Sequence, residues 1–98
     1  MVCVFEPSVI LNDKLIAAST TFNNLNNLNE SDLENLKVQY EDCIKLAKKA
    51  RENFLMCSEL EVDEEKSQLY YDETKTLKSK INDVKNRIKK INKTLDEL

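Results

Sequence analysis

Two ladders of largely apolar residues, each repeating in alternating steps of three and four, constrain the fold of this chain more than any other feature. The first ladder runs through Leu33, Leu36, Tyr40, Cys43, Ala47, Ala50, Phe54 and Cys57. The second ladder runs through Leu77, Ile81, Val84, Ile88, Ile91, Leu95 and Leu98. This spacing places each set along one stripe of an α-helix, and a stripe that narrow is buried by another helix. The ladders therefore predict an all-α fold of long amphipathic helices.

The residue types that are missing exclude most other folds and sites. The 98 residues include no glycine, no histidine, no tryptophan and one proline. Tight hairpins and phosphate-binding loops use the positive φ angles that glycine adopts cheaply, so neither a β-rich fold nor a nucleotide-binding loop is expected. Without histidine the chain has no Ser-His or Cys-His pair and no imidazole ligand for a metal. We therefore expect no enzyme activity, no cofactor and no metal site.

The chain divides into three segments of one helical domain. Residues 1–30 hold a short apolar tail, a first helix over about residues 8–25 and an Asn-rich turn. Residues 31–60 hold the first long heptad helix, which is predicted to begin at a capping box formed by Ser31 and Glu34. Residues 61–98 hold an acidic connector and the second heptad helix.

The acidic connector decides between two architectures. Acidic residues crowd the stretch 59–65, and the two ladders are out of phase by one residue across it. A turn here gives a helical hairpin or a three-helix bundle, whereas a continuous helix gives a coiled-coil rod with a local discontinuity. Repulsion between the carboxylates on a helix surface favours the turn. Antiparallel pairing around that turn lays residues 30–42 beside residues 84–96.

The second ladder and its charged flanks form the predicted partner-binding surface. The apolar members of this surface are Leu77, Ile81, Val84, Ile88, Ile91 and Leu95, and its basic members are Lys78, Lys80, Lys85 and Arg87. In a parallel homodimer these basic flanks would face each other and repel, so we expect a helical partner with acidic flanks. That partner is either another protein or the chain's own first heptad helix. A homo-oligomer is expected only with antiparallel helices.

Charge is distributed unevenly along the chain. Residues 1–73 carry 15 acidic and 7 basic residues, whereas residues 74–98 carry 3 acidic and 8 basic residues. A basic helix of this kind can bind a polyanion. However, no aromatic residue lies within residues 75–93 to stack on bases, and the basic stretch coincides with the second ladder. Nucleic-acid binding is therefore the weaker interpretation, and nothing indicates a small-molecule substrate.

The cysteines and the hydropathy pattern bear on location. Cys43 and Cys57 lie 14 residues apart on the first ladder, too far apart to bond to each other on one helix. We expect them to be core thiols in a reducing compartment. The first residues lack the basic and long apolar regions of a signal peptide, and no stretch reaches the ~20 apolar residues of a membrane span. These observations predict an intracellular protein, cytoplasmic or nuclear.

The pattern predicts a kind of function without naming the partner. We expect a non-enzymatic structural or interaction subunit of a heteromeric coiled-coil assembly, such as a heterodimer, of chromosome-segregation or cytoskeletal type. This composition and periodicity are typical of small coiled-coil subunits of kinetochore, tethering and transcription-coactivator complexes. One alternative is a self-contained three-helix adaptor that binds a partner peptide or helix in a trafficking or transcription complex. A second alternative is a basic-helix polyanion binder.

Overall fold

Three α-helices form an elongated bundle in a computed structural model of the chain, which describes residues 6–98. Helix α1 spans Glu6–Phe22, α2 spans Glu30–Leu60 and α3 spans Glu64–Asp96, with a 3₁₀ turn at Leu25–Asn27. Helices α2 and α3 form a long antiparallel hairpin, and the shorter α1 packs chiefly on α2. The Cα atoms span 54 × 18 × 16 Å. The predicted all-α helical hairpin and three-helix bundle is confirmed, while the predicted apolar tail lies largely outside the described residues.

The connector between α2 and α3 is a turn, so the interpretation as a continuous coiled-coil rod is wrong. The Asp63 carboxylate accepts hydrogen bonds from the backbone N–H groups of Glu65 at 2.9 Å and Lys66 at 3.3 Å. These bonds cap the N-terminus of α3. Glu64 and Glu65 occupy its first turn, where the helix dipole favours negative charge. The acidic stretch therefore starts a helix instead of interrupting one.

Two serines join α2 and α3 beside this turn. The Ser67 hydroxyl donates to the backbone carbonyl of Ser58 at 2.7 Å, and the Ser58 hydroxyl donates to the carbonyl of Ser67 at 3.1 Å. These reciprocal bonds set a register in which residue 58 lies opposite residue 67. Further along the hairpin, Arg87 donates to the Tyr40 hydroxyl at 2.8 Å. The predicted pairing of residues 30–42 with residues 84–96 is therefore confirmed.

The ladders supply most of the buried core. All eight members of the first ladder are buried, and they are the buried residues of α2. In the second ladder Leu77, Ile81, Val84 and Ile91 are buried, and Ile88 and Leu95 are half-buried. Helix α1 completes the core with Leu11 and Ala18. Leu98, the last predicted ladder residue, is 71% exposed because α3 ends at Asp96 before reaching it.

The start of α2 differs from the predicted capping box. Asn29 is the N-cap residue, and its side-chain oxygen accepts a hydrogen bond from the backbone N–H of Asp32 at 2.8 Å. The helix therefore begins at Glu30, and Ser31, the expected cap, lies inside the first turn. Asparagine caps helices as well as serine does, so the sequence offers two candidate N-cap residues, Asn29 and Ser31, close together. Helix α1 likewise ends at Phe22 instead of residue 25, because the chain there enters the 3₁₀ turn.

Replacing Asn29 by alanine is expected to lower the free energy of unfolding by about 1 kcal/mol, because the Asp32 N–H loses its acceptor. Ser31→Ala is the matched control, and we expect it to change this free energy by less than about 0.5 kcal/mol, since the Ser31 side chain is exposed. Urea titrations followed by circular dichroism would measure both variants. A larger loss for Ser31→Ala than for Asn29→Ala would show that the helix begins at the capping box after all.

Candidate functional site

The apolar part of the predicted partner-binding surface packs inside this chain's own bundle. Leu77 and Ile81 join a buried cluster with residues of α1 and α2. Val84 and Ile91 join a second buried cluster, and the half-buried Ile88 and Leu95 pack against it. The structure therefore brings these six residues together, and the helix that covers them is the chain's own α2. In this fold the second ladder is therefore already covered by other helices of the same chain.

Arg87, the fourth basic flank residue, joins all three helices. Its Nη1 atom donates hydrogen bonds to the Ser19 hydroxyl of α1 and the Tyr40 hydroxyl of α2, each at 2.8 Å. The guanidinium carbon lies 5.0 Å from the centre of the Phe22 ring, within the range of cation–π attraction. Tyr40 is fully buried, so its hydroxyl depends on a partner from within the protein. The charge of Arg87 is thus engaged within the bundle.

Helix α1 covers one of the two long edges of the α2–α3 hairpin. Lys80 Nζ donates to Asn12 Oδ1 of α1 at 3.1 Å, on the same edge as the contact between Arg87 and Ser19. Gln39 of α2 faces α1 on that edge too, where it lines a cavity of about 240 Å³ with two α1 residues. In an antiparallel pair of helices, the flank residues that precede ladder residues on both helices lie along one edge of the pair. The flank residues that follow ladder residues lie along the other edge. Helix α1 lies on the first of these edges.

The opposite edge, which we call the open edge, is strongly basic. It consists of the residues of α2 and α3 that come directly after ladder positions, on the side of the hairpin away from α1. Half-buried Ile44 lies in its middle. Its bases are Lys37, Lys48, Arg51, Lys75, Lys78, Lys85 and Lys89. Its acids are Glu34, Glu41 and Asp96, together with Glu52 beside its cavity. Among the bases, Lys37 and Arg51 are half-buried and the others are exposed. The predicted flank residues therefore separate, with Lys78 and Lys85 on the open edge and Lys80 and Arg87 against α1.

A cavity of about 380 Å³ opens on the open edge between α2 and α3. Its lining is formed by Lys48, Arg51, Glu52, Lys78 and Ile81. The Nε atom of Arg51 is buried and has no hydrogen-bond acceptor among the described residues. Leaving a buried donor unsatisfied costs free energy, more so for a charged group, and such an atom needs an explanation. The cavity therefore combines three bases, one acid, an apolar floor and one unsatisfied donor.

Cys43 is a nucleophilic group that the fold makes unreactive. It is a free thiol with no exposed surface, and burial raises the pKa of the Cys43 thiol above its usual value, with nearby Lys14 lowering it and Asp42 raising it. The thiolate is the reactive form, so a raised pKa and burial both suppress chemistry. Cys57 is also buried but is disulfide-bonded, so the expectation of free core thiols holds for Cys43 alone.

Native Cys43 is expected to react with iodoacetamide at least about a hundredfold more slowly than the unfolded chain does, because the bundle must open before the reagent reaches the sulfur. The measurement is the rate of carbamidomethylation of the Cys43 peptide, followed by mass spectrometry in native buffer and in concentrated urea. Quantifying this one peptide keeps the other cysteines out of the result. Equal rates in the two conditions would contradict the burial of Cys43.

Comparisons with known proteins identify no relative. No family model, no curated protein and no solved structure matches the chain. Within residues 6–98, no helix is long and apolar enough to cross a membrane. Over the same residues, no group of three or more cysteine, aspartate or glutamate side chains could hold a metal ion.

Sequence reasoning did not anticipate the role of Arg51 or the cavity beside it. The signal was present, because Lys37, Ile44 and Arg51 flank the first ladder on the side that meets Lys78 and Lys85 in an antiparallel hairpin. What the pattern could not indicate is which edge α1 covers. That choice leaves one basic edge open and places the other against α1.

Proposed function

We propose that this chain is a self-contained three-helix adaptor, a non-enzymatic module that binds a helical segment of another protein. The observation that carries the proposal is that the two ladders bury each other within one chain. Burial of apolar area is the main favourable term in helix association, and here it is achieved without a second chain. An obligate coiled-coil subunit would instead leave one ladder uncovered until its partner arrived. The internal pairing therefore favours the adaptor over the obligate subunit.

The charged surface supports a role in binding, with an acidic helical protein as the partner. The bases of the open edge surround a cavity and a half-buried isoleucine. The sequence has no histidine, and the thiol of Cys43 is buried. These features favour recognition of a protein over catalysis.

The setting that we propose is a heteromeric helical complex inside the cell, of chromosome-segregation, cytoskeletal, trafficking or transcription type. Composition and periodicity support this class. The disulfide at Cys57 is a feature more common in oxidising compartments, so it gives the intracellular location no support. Fluorescence microscopy of the tagged full chain would decide the location, and secretion would contradict it.

Sedimentation equilibrium of the isolated chain, with helicity followed by circular dichroism over about a hundredfold dilution, tests the adaptor proposal. We expect a monomer whose helicity does not change with concentration, since both ladders are covered within the chain. Helicity that falls on dilution would show that the ladders need a second chain and would support the obligate coiled-coil subunit.

One observation favours a second candidate function. In this function the chain joins a larger coiled-coil assembly through the turn end of the hairpin. Helix α1 has 17 residues against 31 in α2 and 33 in α3, so it is too short to cover the whole hairpin. Exposed apolar side chains accumulate beyond it, at Met56, Leu60, Val62, Leu69 and Tyr71. Apolar surface that is contiguous marks association sites. If the chain forms a dimer through the turn end, Leu69→Glu should dissociate that dimer.

A further inference from the structure

We infer that the open edge binds an acidic amphipathic helix supplied by a partner protein. The inference rests on the proposed adaptor function and names the surface that would carry it. The helix would lie along the groove between α2 and α3 on the side away from α1, adding a fourth helix to the bundle.

The order of residues along the open edge follows from the hairpin register. With residue 58 opposite residue 67, Arg51 falls between Tyr71 and Lys78, and Ile44 falls between Lys78 and Lys85. Lys37 follows beyond Lys85. Four bases therefore surround one half-buried isoleucine along a single groove, and the exposed bases Lys48, Lys75 and Lys89 add to the same edge.

An apolar strip forms the floor of this groove. Ile44 is half-buried on the open edge, and the buried Ile81 lines the cavity beside Arg51. A helix with one apolar stripe could cover these isoleucines, and carboxylates flanking that stripe would then lie next to Lys78 and Lys85. Apolar floor and basic walls together match an amphipathic helix with acidic flanks.

Arg51 supplies the second, independent observation. Its buried Nε has no acceptor among the described residues, although the side chain lines a cavity open to the groove. Nε itself has almost no exposed surface, so a carboxylate entering that cavity would bond to it only after the Arg51 side chain turns toward the cavity. Arginine is suited to bind carboxylates through such charge-assisted hydrogen bonds. The Lys78 ammonium, on the opposite wall, would share the same carboxylate.

Two other occupants fit the surface less well. A nucleic-acid backbone would leave the apolar floor of the groove uncovered, whereas an amphipathic helix would cover it. The Lys75 ammonium lies 5.1 Å from the centre of the Tyr71 ring, so one face of this ring is already covered. A second copy of this chain, docked edge to edge about a two-fold axis, would place like charges together.

Binding to a designed probe tests the inference directly. The probe is a synthetic helical peptide with a leucine ladder and glutamate at the flanking positions, and the control peptide carries lysine in place of each glutamate. Titration of each into the isotope-labelled full chain, followed by amide chemical shifts, reports both affinity and location. We expect the acidic peptide to bind and to shift amides around Ile44, Arg51, Lys78 and Lys85, and the basic peptide to bind at least about tenfold more weakly.

A matched pair of charge reversals tests the surface itself. Arg51→Glu with Lys78→Glu should weaken binding of the acidic peptide by at least about tenfold. Lys45→Glu with Lys93→Glu changes the net charge equally at two exposed lysines on the outer faces of α2 and α3, and should weaken it by less than about threefold. Circular dichroism of both double variants checks that the bundle remains folded.

Several outcomes would overturn the inference. Equal affinity for the two peptides, equal losses in the two double variants, or shifts that map to α1 would each remove the open edge as the site. Tighter binding of duplex DNA than of the acidic peptide, with the same sensitivity to Arg51→Glu and Lys78→Glu, would assign the edge to polyanions. All of these can occur while the chain remains a monomeric bundle, so failure here is distinguishable from failure of the adaptor proposal in the dilution experiment.

Discussion

Leu77→Ala is expected to lower the free energy of unfolding of the isolated chain by about 2–5 kcal/mol, because it leaves a cavity in the core. Leu77 is 1% exposed and packs in the cluster shared by all three helices. The matched control is Leu69→Ala on the same helix, where the side chain is 66% exposed, and we expect a change of less than about 0.5 kcal/mol. Urea titration followed by circular dichroism would measure both.

The contrast between these two leucines tests whether the second ladder is used inside the chain. A small bundle has only about 5–15 kcal/mol of total stability, so the expected loss at Leu77 is a large share of it. If the ladder instead served a second protein, the isolated chain would not depend on Leu77, and the two variants would be equally mild. That result would contradict the internal pairing of α2 and α3.

Arg87→Ala is expected to lower the free energy of unfolding by about 2–3 kcal/mol, although arginine at a ladder flank is ordinarily a surface residue. The substitution removes the hydrogen bonds to Ser19 and Tyr40 and the contact with the Phe22 ring. It also leaves the hydroxyl of a fully buried tyrosine without that donor. Lys85→Ala is the control, since Lys85 is the exposed flank residue two positions earlier on the same helix, and its effect should stay below about 0.5 kcal/mol.

A double-mutant cycle separates the contact between Arg87 and Tyr40 from other effects of the substitution. Arg87→Ala, Tyr40→Phe and the double variant should give a coupling free energy of about 1–2 kcal/mol for the hydrogen bond alone, because phenylalanine keeps the ring that contacts the guanidinium. Additive losses, or equal losses for Arg87→Ala and Lys85→Ala, would show that Arg87 is a solvated flank residue like its neighbours.

The four basic flank residues of the second ladder were predicted as one set, and the structure divides them by position. Lys80 and Arg87 precede their ladder neighbours and face α1, where each donates a hydrogen bond. Lys78 and Lys85 follow their ladder neighbours and remain exposed on the open edge. The first pair therefore contributes to the fold, and the second pair is available for the partner that we propose.

Several elements could be predicted because their signal is local. The first ladder is buried at every predicted position, since a strict three-four repeat leaves a helix only one stripe to bury. The turn near residue 63 was favoured by acid repulsion, and the capping carboxylate of Asp63 adds the local reason for it. The pattern predicts a cap at Ser31, whereas Asn29 is the N-cap residue of α2, because both residue types cap helices and the pattern does not rank them.

Periodicity and the missing glycines by themselves determined that this chain is helical and which stripe of each long helix is buried. These are consequences of side-chain spacing along single helices, which the sequence displays directly. The tertiary structure alone decided that the ladders bury each other within one chain, and that α1 packs against Lys80 and Arg87 while the edge of Arg51 and Lys78 stays open. Both edges are basic in the second ladder, so their charge does not distinguish them. The difference arises only from how the short helix docks across residues far apart in the chain.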